Sequence, residues 1–204
     1  MLKAMLLGTY VNPPYHPLRA IDTLLSFLLS DTFSLEITDQ PDDLQKLSSE
    51  YRLVLSYLDQ WDTPIPDADA DALVRFVQEG GGLLVIHNGI SLQADPRLLE
   101  MMGGKFTHHP PQEPITFQAL PGSFLSDCPD FTISEEPYQF DHLGSLTPIL
   151  SYTYRGNKYL AGWEKTCGKG RVVFLAPGHA LSTFEDKSFQ EMIHLSAKRC
   201  AGII

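Results

Sequence analysis

The sequence predicts an α/β fold in which a mainly parallel sheet continues into an antiparallel extension. Short apolar runs alternate with helical patterns through the first half of the chain. The apolar runs are nearly continuous, as in parallel strands that are buried on both faces. The second half begins with shorter strand-like segments. A long apolar run and a final helix follow them. The alternation in the first half predicts right-handed βαβ units.

The elements of the first half follow from hydrophobic spacing. Apolar runs predict strands over 3–10, 34–38, 52–58 and 83–87. Apolar residues that recur with a helical period predict a helix over 18–30. The polar segment 41–50 is interpreted as a short helix or turn. A helix is predicted over 67–79, because acidic residues stand at the start of this segment and three glycines follow its end.

The second half predicts an antiparallel flap or meander at one edge of the sheet. Residues 103–114 are interpreted as a loop, and short strands are expected over 115–120, 130–134, 148–154 and 159–164. The segment "CGKG" lacks the spacing of a phosphate-binding loop and precedes a strand, so it predicts a hairpin turn. The last parallel strand lies in 170–179 and an amphipathic helix covers 187–200. The length favours a single domain over 1–204.

Composition excludes several classes of partner. The formal net charge is −10 and the longest basic cluster is Lys198-Arg199, which argues against nucleic-acid binding. Three dispersed cysteines do not predict a disulfide framework, so a reducing compartment is expected. The apolar N-terminal run is interpreted as a first strand rather than a signal peptide, and no run reaches the roughly 18 apolar residues of a membrane-spanning helix. We expect a cytoplasmic protein without membrane contact. The sequence allows a homo-oligomer but does not require one.

Three histidines follow predicted strands. Ligands of open α/β sheets bind beyond the carboxyl ends of the strands. His16 follows the first strand, His87 ends the fourth and His179 ends the last, so we expect all three on one rim. In "GGGLLVIHNG", residues 80–89, His87 stands where many α/β enzymes carry a nucleophilic Ser or Cys, and Asn88-Gly89 permits a tight turn. Its role is a general base, a proton donor, a metal ligand or merely a packed side chain.

The histidines also suggest a divalent metal. A catalytic zinc commonly has three His or carboxylate ligands and one open position. No local ligand spacing such as H-E-x-x-H occurs, so the sequence leaves the metal open. Zn²⁺ is the favoured ion, and no nucleotide cofactor is expected. The predicted ligands are His16, His87, His109 and His179, with Glu135, Glu136 and Asp141 as further candidates.

An acidic and aromatic segment, 134–141, lies in the irregular second half. Glu135 and Glu136 precede Pro137 and Tyr138, as in a solvated turn or, alternatively, an acid/base pair that also accepts hydrogen bonds from sugar hydroxyls. Stacking surfaces of a binding pocket are expected from Tyr138 and Trp163, with Asn88 as a further substrate contact.

The ordered motifs "GGGLLVIHNG", "GGKFTHHP", "SEEPY" and "CGKGRVVFLAPGHALSTFEDKSF" resemble the ThuA-like (trehalose-utilisation) family. The resemblance covers residues from about 2 to 200. It implies a flavodoxin-like, doubly wound sheet of the class I glutamine amidotransferase type, with His87 in the position of the amidotransferase nucleophile. It places the family's histidine-proline pair on His109-Pro110 and its glycine-histidine pair on Gly178-His179. Because the elbow cysteine is missing, glutamine amidotransfer is not expected.

The leading hypothesis is an enzyme that acts on a disaccharide or keto-sugar derivative by histidine acid/base chemistry, with or without metal assistance, as a hydrolase or isomerase. His87, His179 and Glu136 are the predicted catalytic residues. The alternative is a non-catalytic sugar-binding or regulatory domain. In both cases the expected partner is a small sugar.

Overall fold

A computed structural model describes residues 1–11, 13 and 15–204. The strands are β1 (Leu2–Gly8), β2 (Phe33–Thr38), β3 (Tyr51–Tyr57), β4 (Gly82–Ile86), β5 (Gly104–His108), β6 (Glu113–Ala119), β7 (Phe131–Glu135), β8 (Gln139–His142), β9 (Thr147–Tyr154), β10 (Asn157–Cys167) and β11 (Gly170–Leu175). The α-helices are α1 (Asp22–Leu29), α2 (Asp67–Gln78), α3 (Pro96–Met102), α4 (Leu181–Glu185) and α5 (Lys187–Cys200). Three 3₁₀ segments cover Leu18–Ala20, Pro41–Lys46 and His87–Ala94.

Nine strands form one mixed sheet in the order β2-β1-β3-β4-β11-β10-β9-β6-β7. The strands from β2 to β11 in this order pair in parallel, whereas the pairs from β11 to β7 are antiparallel. This arrangement confirms the predicted α/β sheet with an antiparallel extension. The parallel strands have the flavodoxin-like order, in which the connection reverses direction between β1 and β3.

Apolar strands explain the core. The side chains of β1, β3, β4 and β11 are almost all buried, because helices cover the parallel part of the sheet. These helices also contact one another in pairs, α1 with α5 and α2 with α3. Each fully buried Leu, Val or Ile side chain stabilises the fold by about 1.5–3 kcal/mol. No helix in the described part of the chain is long and apolar enough to cross a membrane.

The irregular region differs from the prediction. Residues 103–114 were expected to form a loop, but they contain β5, which pairs with β8 in a separate two-stranded sheet. The sequence of β5, "GKFTH", has one large apolar residue and is mostly exposed, so it lacks the apolar pattern of a buried strand. The predicted helix over 18–30 is a 3₁₀ turn and α1, separated at Ile21. The "CGKG" hairpin prediction is confirmed, because Cys167 pairs with Gly170 between β10 and β11.

Candidate functional site

His87 occupies a sharp turn at the end of β4. Its φ is +48°, in the left-handed region that non-glycine residues seldom adopt. The sequence suggested that Asn88-Gly89 would supply the unusual backbone conformation, but His87 itself adopts it. Gly89 is needed for another reason, since a Cβ there would lie 2.0 Å from the Ser56 carbonyl oxygen at the end of β3. The strained backbone of this turn therefore directs the imidazole toward the rim of the sheet.

Four side chains converge above the strand ends. His16 Nε2 lies 3.2 Å from His87 Nε2 and 3.1 Å from His179 Nδ1. Glu136 Oε2 lies 3.5 Å from His87 Nε2 and 3.3 Å from His179 Nδ1. We call these residues the four-residue cluster. The three histidines that were expected on one rim are brought together by β1, β4 and β11, and Glu136 comes from the segment after β7.

Backbone contacts orient the His87 ring. Its Nδ1 lies 2.7 Å from the carbonyl oxygen of Ala176 after β11, so Nδ1 carries a proton and donates it to this acceptor. In the neutral ring, Nε2 then presents a lone pair to the cluster. Tyr138 stacks on the ring at a centroid distance of 4.3 Å. Gly178 also packs closely, since a Cβ there would lie 2.8 Å from His87 Cβ.

Asp59 holds the segment that carries His16. Its Oδ2 accepts hydrogen bonds of 2.8 Å from the backbone N–H groups of Tyr15 and His16, and lies 3.6 Å from His16 Nδ1. Its Oδ1 accepts a 2.7 Å hydrogen bond from the Trp61 indole. One buried carboxylate thus ties the connection after β1 to the connection after β3, and faces the ring nitrogen of His16 that points away from the cluster.

Glu135 fixes the position of His179. Its fully buried carboxylate accepts hydrogen bonds through Oε2 from the backbone N–H groups of Gly178 and His179 and from the Thr183 hydroxyl. Its Oε1 accepts from the backbone N–H of Glu136. The end of β7 is therefore bonded to the segment after β11. Glu135 does not touch the centre of the cluster, but it places two members of it.

The electrostatics of the cluster favour a charged carboxylate. Burial opposes ionisation of Glu136, but the contacts of its carboxylate with His179 and His87 outweigh this effect and lower the pKa of Glu136. The hydrogen bond to Glu136 raises the pKa of His179, although partial burial opposes the change. Burial lowers the pKa of His16, against the effect of Asp59. The cluster thus combines one anionic oxygen with imidazoles of different basicity, which suits proton transfer.

The same donors fit a divalent metal ion. A tetrahedral ion with nitrogen ligands at about 2.0–2.1 Å separates its ligand atoms by about 3.3 Å. Four separations in the cluster are 3.1, 3.2, 3.3 and 3.5 Å, and all four donor atoms lie within 4.8 Å of one another. The outer nitrogens of His87 and His16 face a carbonyl and a carboxylate, as second partners of metal-bound histidines commonly do.

His109 lies beside the cluster rather than within it. Its Nε2 is 3.7 Å from Glu136 Oε1, the oxygen that faces away from the other histidines, and it does not belong to the group of converging donors. The fourth donor of the converging group is the Glu136 carboxylate, which is one of the further candidate ligands predicted from the sequence. His109 stacks on Tyr138 at 5.5 Å and is one-third exposed, so it is placed to exchange protons with solvent.

A cavity of about 710 Å³ opens next to the cluster. It lies beyond the carboxyl ends of β1 and β3, where the order in which strands are added to the sheet changes direction. From the cluster, His16 and Glu136 line it. Its other walls are Thr9, Tyr15, Asp39, the segment 58–63, Phe106, His109 and Tyr138. A ligand in this cavity would meet Glu136 and His16 directly, with His87 and His179 behind them.

Two predicted substrate contacts lie elsewhere. Trp163 is fully buried in the core, where its indole donates to the Met102 carbonyl oxygen, and it does not line the cavity. Asn88 is also fully buried and donates to the Tyr57 carbonyl oxygen. The sequence missed Trp61, which lines the cavity instead. It also missed Asp59, although its place just after an apolar strand was a usable signal.

A family model described as trehalose utilisation matches residues 14–197. The chain belongs to the ThuA family. Two solved ThuA-like proteins have the same fold. One, from Bacteroides uniformis, is 19% identical with a TM-score of 0.76, and the match covers 98% of this chain and 91% of that one. The other, from Parabacteroides merdae, is 16% identical with a TM-score of 0.78 and covers 98% and 90% of the two chains.

The fold also occurs within a larger enzyme. A cold-adapted β-galactosidase from a Rahnella species matches 96% of this ThuA-family chain with 15% identity and a TM-score of 0.67, but only 32% of the galactosidase is covered. A search of curated proteins finds no match.

Proposed function

We propose that the protein is an enzyme of carbohydrate metabolism that acts on a disaccharide or a keto-sugar derivative by acid/base chemistry at the four-residue cluster, with a bound divalent metal. The observation that carries the proposal is the convergence of three imidazole nitrogens and one carboxylate oxygen beside a large cavity. The trehalose-utilisation family supports a sugar as the substrate.

The cluster would bind the metal, with Zn²⁺ as the favoured ion. The expected ligands are His16, His87 and His179 through the nitrogens that face one another, and Glu136 through Oε2. A bound ion of this type acts as a Lewis acid toward oxygen. Three of these ligands are neutral imidazoles and the fourth is anionic, a donor set typical of zinc and related transition metals.

Proton transfer would use the groups that line the cavity. Glu136 lies between the inner histidines and His109, with one oxygen toward each. His109 lines the cavity and reaches solvent, so it can take a proton from a sugar hydroxyl or from the carbon next to a ketone, while the ionised Glu136 stabilises the charge that His109 gains. Glu135 and Asp59 act as positioning residues, because each bonds the backbone that carries a cluster histidine. We further propose that this chemistry takes place in the cytoplasm on a small free sugar.

A turnover screen tests this proposal. Trehalose, sucrose and their keto forms are incubated with the protein loaded with Zn²⁺ or Mn²⁺, and products are followed by chromatography and mass spectrometry. We expect turnover of at least one compound, with a loss of about 100-fold or more in His87→Ala. His194→Ala is the matched control, because His194 pairs with Asp31 on the surface and does not approach the cluster.

The same screen separates an enzyme from a binding module. Saturable binding of a sugar with no turnover by any metal-loaded form would overturn the enzymatic proposal and favour a sugar-binding or regulatory domain. Equal turnover by the wild type and His87→Ala would place the chemistry outside the cluster and would also overturn it.

A further inference from the structure

The walls of the cavity are strongly acidic. Four carboxylates line it, from Asp39, Asp59, Asp62 and Glu136. Among the lining residues that the structure describes, none is a lysine or an arginine. A divalent ion on the cluster would offset only half of this charge. Since field lines concentrate in clefts lined by one sign of charge, the cavity disfavours anions even with a metal in place.

The remaining walls suit a neutral polyhydroxylated molecule. Gln60, Thr63 and Thr9 provide uncharged hydrogen-bonding groups, and carboxylate oxygens accept hydrogen bonds from hydroxyls. Trp61 and Phe106 form an aromatic wall, with ring centroids 5.2 Å apart. Such a combination of apolar surface and a few polar groups is typical of small-molecule sites.

Trp61 is held in place without being buried. Its indole N–H donates to Asp59 Oδ1, and the side chain is partly exposed at the cavity wall. The hydrogen bond fixes the indole relative to the same carboxylate that holds the backbone of His16. A ring held this way offers a rigid surface at little cost in side-chain entropy. A ligand stacked on Trp61 would therefore lie at a defined distance from the cluster.

We infer that this cavity selects an uncharged polyhydroxylated ligand over its phosphorylated form, that Asp39 and Asp62 provide the charge discrimination, and that Trp61 is the stacking surface. The identity of the ligand as a sugar rests on the proposed function. The charge selection rests on the cavity alone, so the two can be tested separately.

The first test measures the charge of the cavity at Trp61. The chain has two tryptophans, so Trp163→Phe leaves Trp61 as the only one. Its fluorescence is quenched with caesium and with iodide, each normalised to a free tryptophan amide. We expect caesium to quench several-fold more efficiently than iodide, and the difference to shrink in Asp39→Asn/Asp62→Asn. If Trp163→Phe does not fold, the difference in quenching between wild type and Trp61→Phe gives the same quantity. Equal or stronger quenching by iodide would overturn the charge selection.

The second test measures ligand choice by calorimetry with trehalose and trehalose 6-phosphate. We expect trehalose to bind and the phosphate to bind at least about tenfold more weakly. Trp61→Ala should weaken trehalose binding by about tenfold, which corresponds to about 1.4 kcal/mol. Asp39→Asn/Asp62→Asn should narrow the gap between the two sugars. Equal or tighter binding of the phosphate would overturn the inference. No binding of either sugar would contradict the sugar of the proposed function, and the quenching test would then decide the charge selection.

A catalytic variant separates this inference from the proposed function. His87→Ala removes the proposed chemistry, and His87 is not itself among the residues that line the cavity. We expect His87→Ala to keep the preference for trehalose over its phosphate. If the wild type shows this preference but turns over no sugar, the enzymatic proposal fails and the selectivity stands.

Discussion

In the parallel half of the sheet, β1, β4 and β11 are each followed by one histidine of the cluster, whereas the antiparallel extension contributes carboxylates. Glu135 ends β7 and Glu136 follows it. The two halves also differ in how they hold their groups. The sharp turn after β4 fixes His87, whereas Glu135 of the extension bonds across to the backbone of Gly178 and His179 after β11.

This difference separates two kinds of role. Histidines at the carboxyl ends of parallel strands follow a general rule for ligand sites in open α/β sheets. The carboxylates are specific to the extension, and they convert a group of neutral rings into a charged site. We therefore expect substitutions in the extension to change the charge and the alignment of the site while the parallel sheet stays folded.

Glu136→Gln gives the largest expected effect. The substitution keeps the size of the side chain but removes the charge that pairs with His179 and His87. We expect turnover to fall by about 100-fold or more, with circular dichroism unchanged. Steady-state kinetics on the compound found by the turnover screen measure it. Glu113→Gln is the matched control, because Glu113 is an exposed glutamate of the same extension. Activity equal to the wild type would show that the extension supplies no essential charge.

Glu135→Gln tests the bonds between the halves. The amide oxygen can replace only part of the carboxylate, which accepts hydrogen bonds from three groups near β11 and one near β7. Hydrogen bonds to charged groups contribute about 1.5–3 kcal/mol, so we expect the free energy of unfolding to fall by about 2 kcal/mol. Urea denaturation measures this change. The nuclear magnetic resonance signals of the His179 ring should shift as well. If neither the free energy of unfolding nor these signals change, the positioning role of Glu135 is contradicted.

Asp59→Asn tests the parallel half and is expected to change metal affinity rather than turnover or stability. Partners of metal-bound histidines typically change metal affinity by about 10–100-fold when they are removed. We expect the Zn²⁺ affinity of Asp59→Asn to fall by an amount within this range, since Asp59 holds the backbone of His16 and faces its outer ring nitrogen. Competition with a chromogenic chelator measures the affinity. Asp42→Asn, at an exposed carboxylate outside the cavity, should leave it unchanged, and equal affinities for the two variants would contradict the role of Asp59.

The two halves also differ in what the sequence can predict. The starts of the five parallel strands are predicted to within one residue and both ends of α5 are predicted correctly, because buried apolar runs and helical spacing are strong signals. The rule for strand ends correctly predicts that His16, His87 and His179 share one rim. The same rule would have found Asp59, which directly follows the predicted strand over 52–58.

The antiparallel extension, the separate β5-β8 sheet and the cavity walls were less predictable, for physical reasons. β5 and β8 are short and largely exposed, so their residues carry no apolar pattern. Burial of an aromatic ring depends on packing between distant strands, and so Trp163 and Trp61 could not be assigned to core and cavity from local sequence. Likewise, adjacent glutamates look alike in sequence, yet Glu135 bonds to backbone and Glu136 points into the cluster.

Metal analysis tests the central claim most directly. The protein is purified without chelators, incubated with Zn²⁺, Mn²⁺, Ni²⁺ or Fe²⁺, desalted and measured by inductively coupled plasma mass spectrometry. We predict about one bound ion per chain in the wild type and in His194→Ala, and a loss of that ion in His87→Ala and His179→Ala. Wild-type protein that binds none of these ions, or His87→Ala protein that still binds one as tightly as the wild type, would contradict the metal-assisted site.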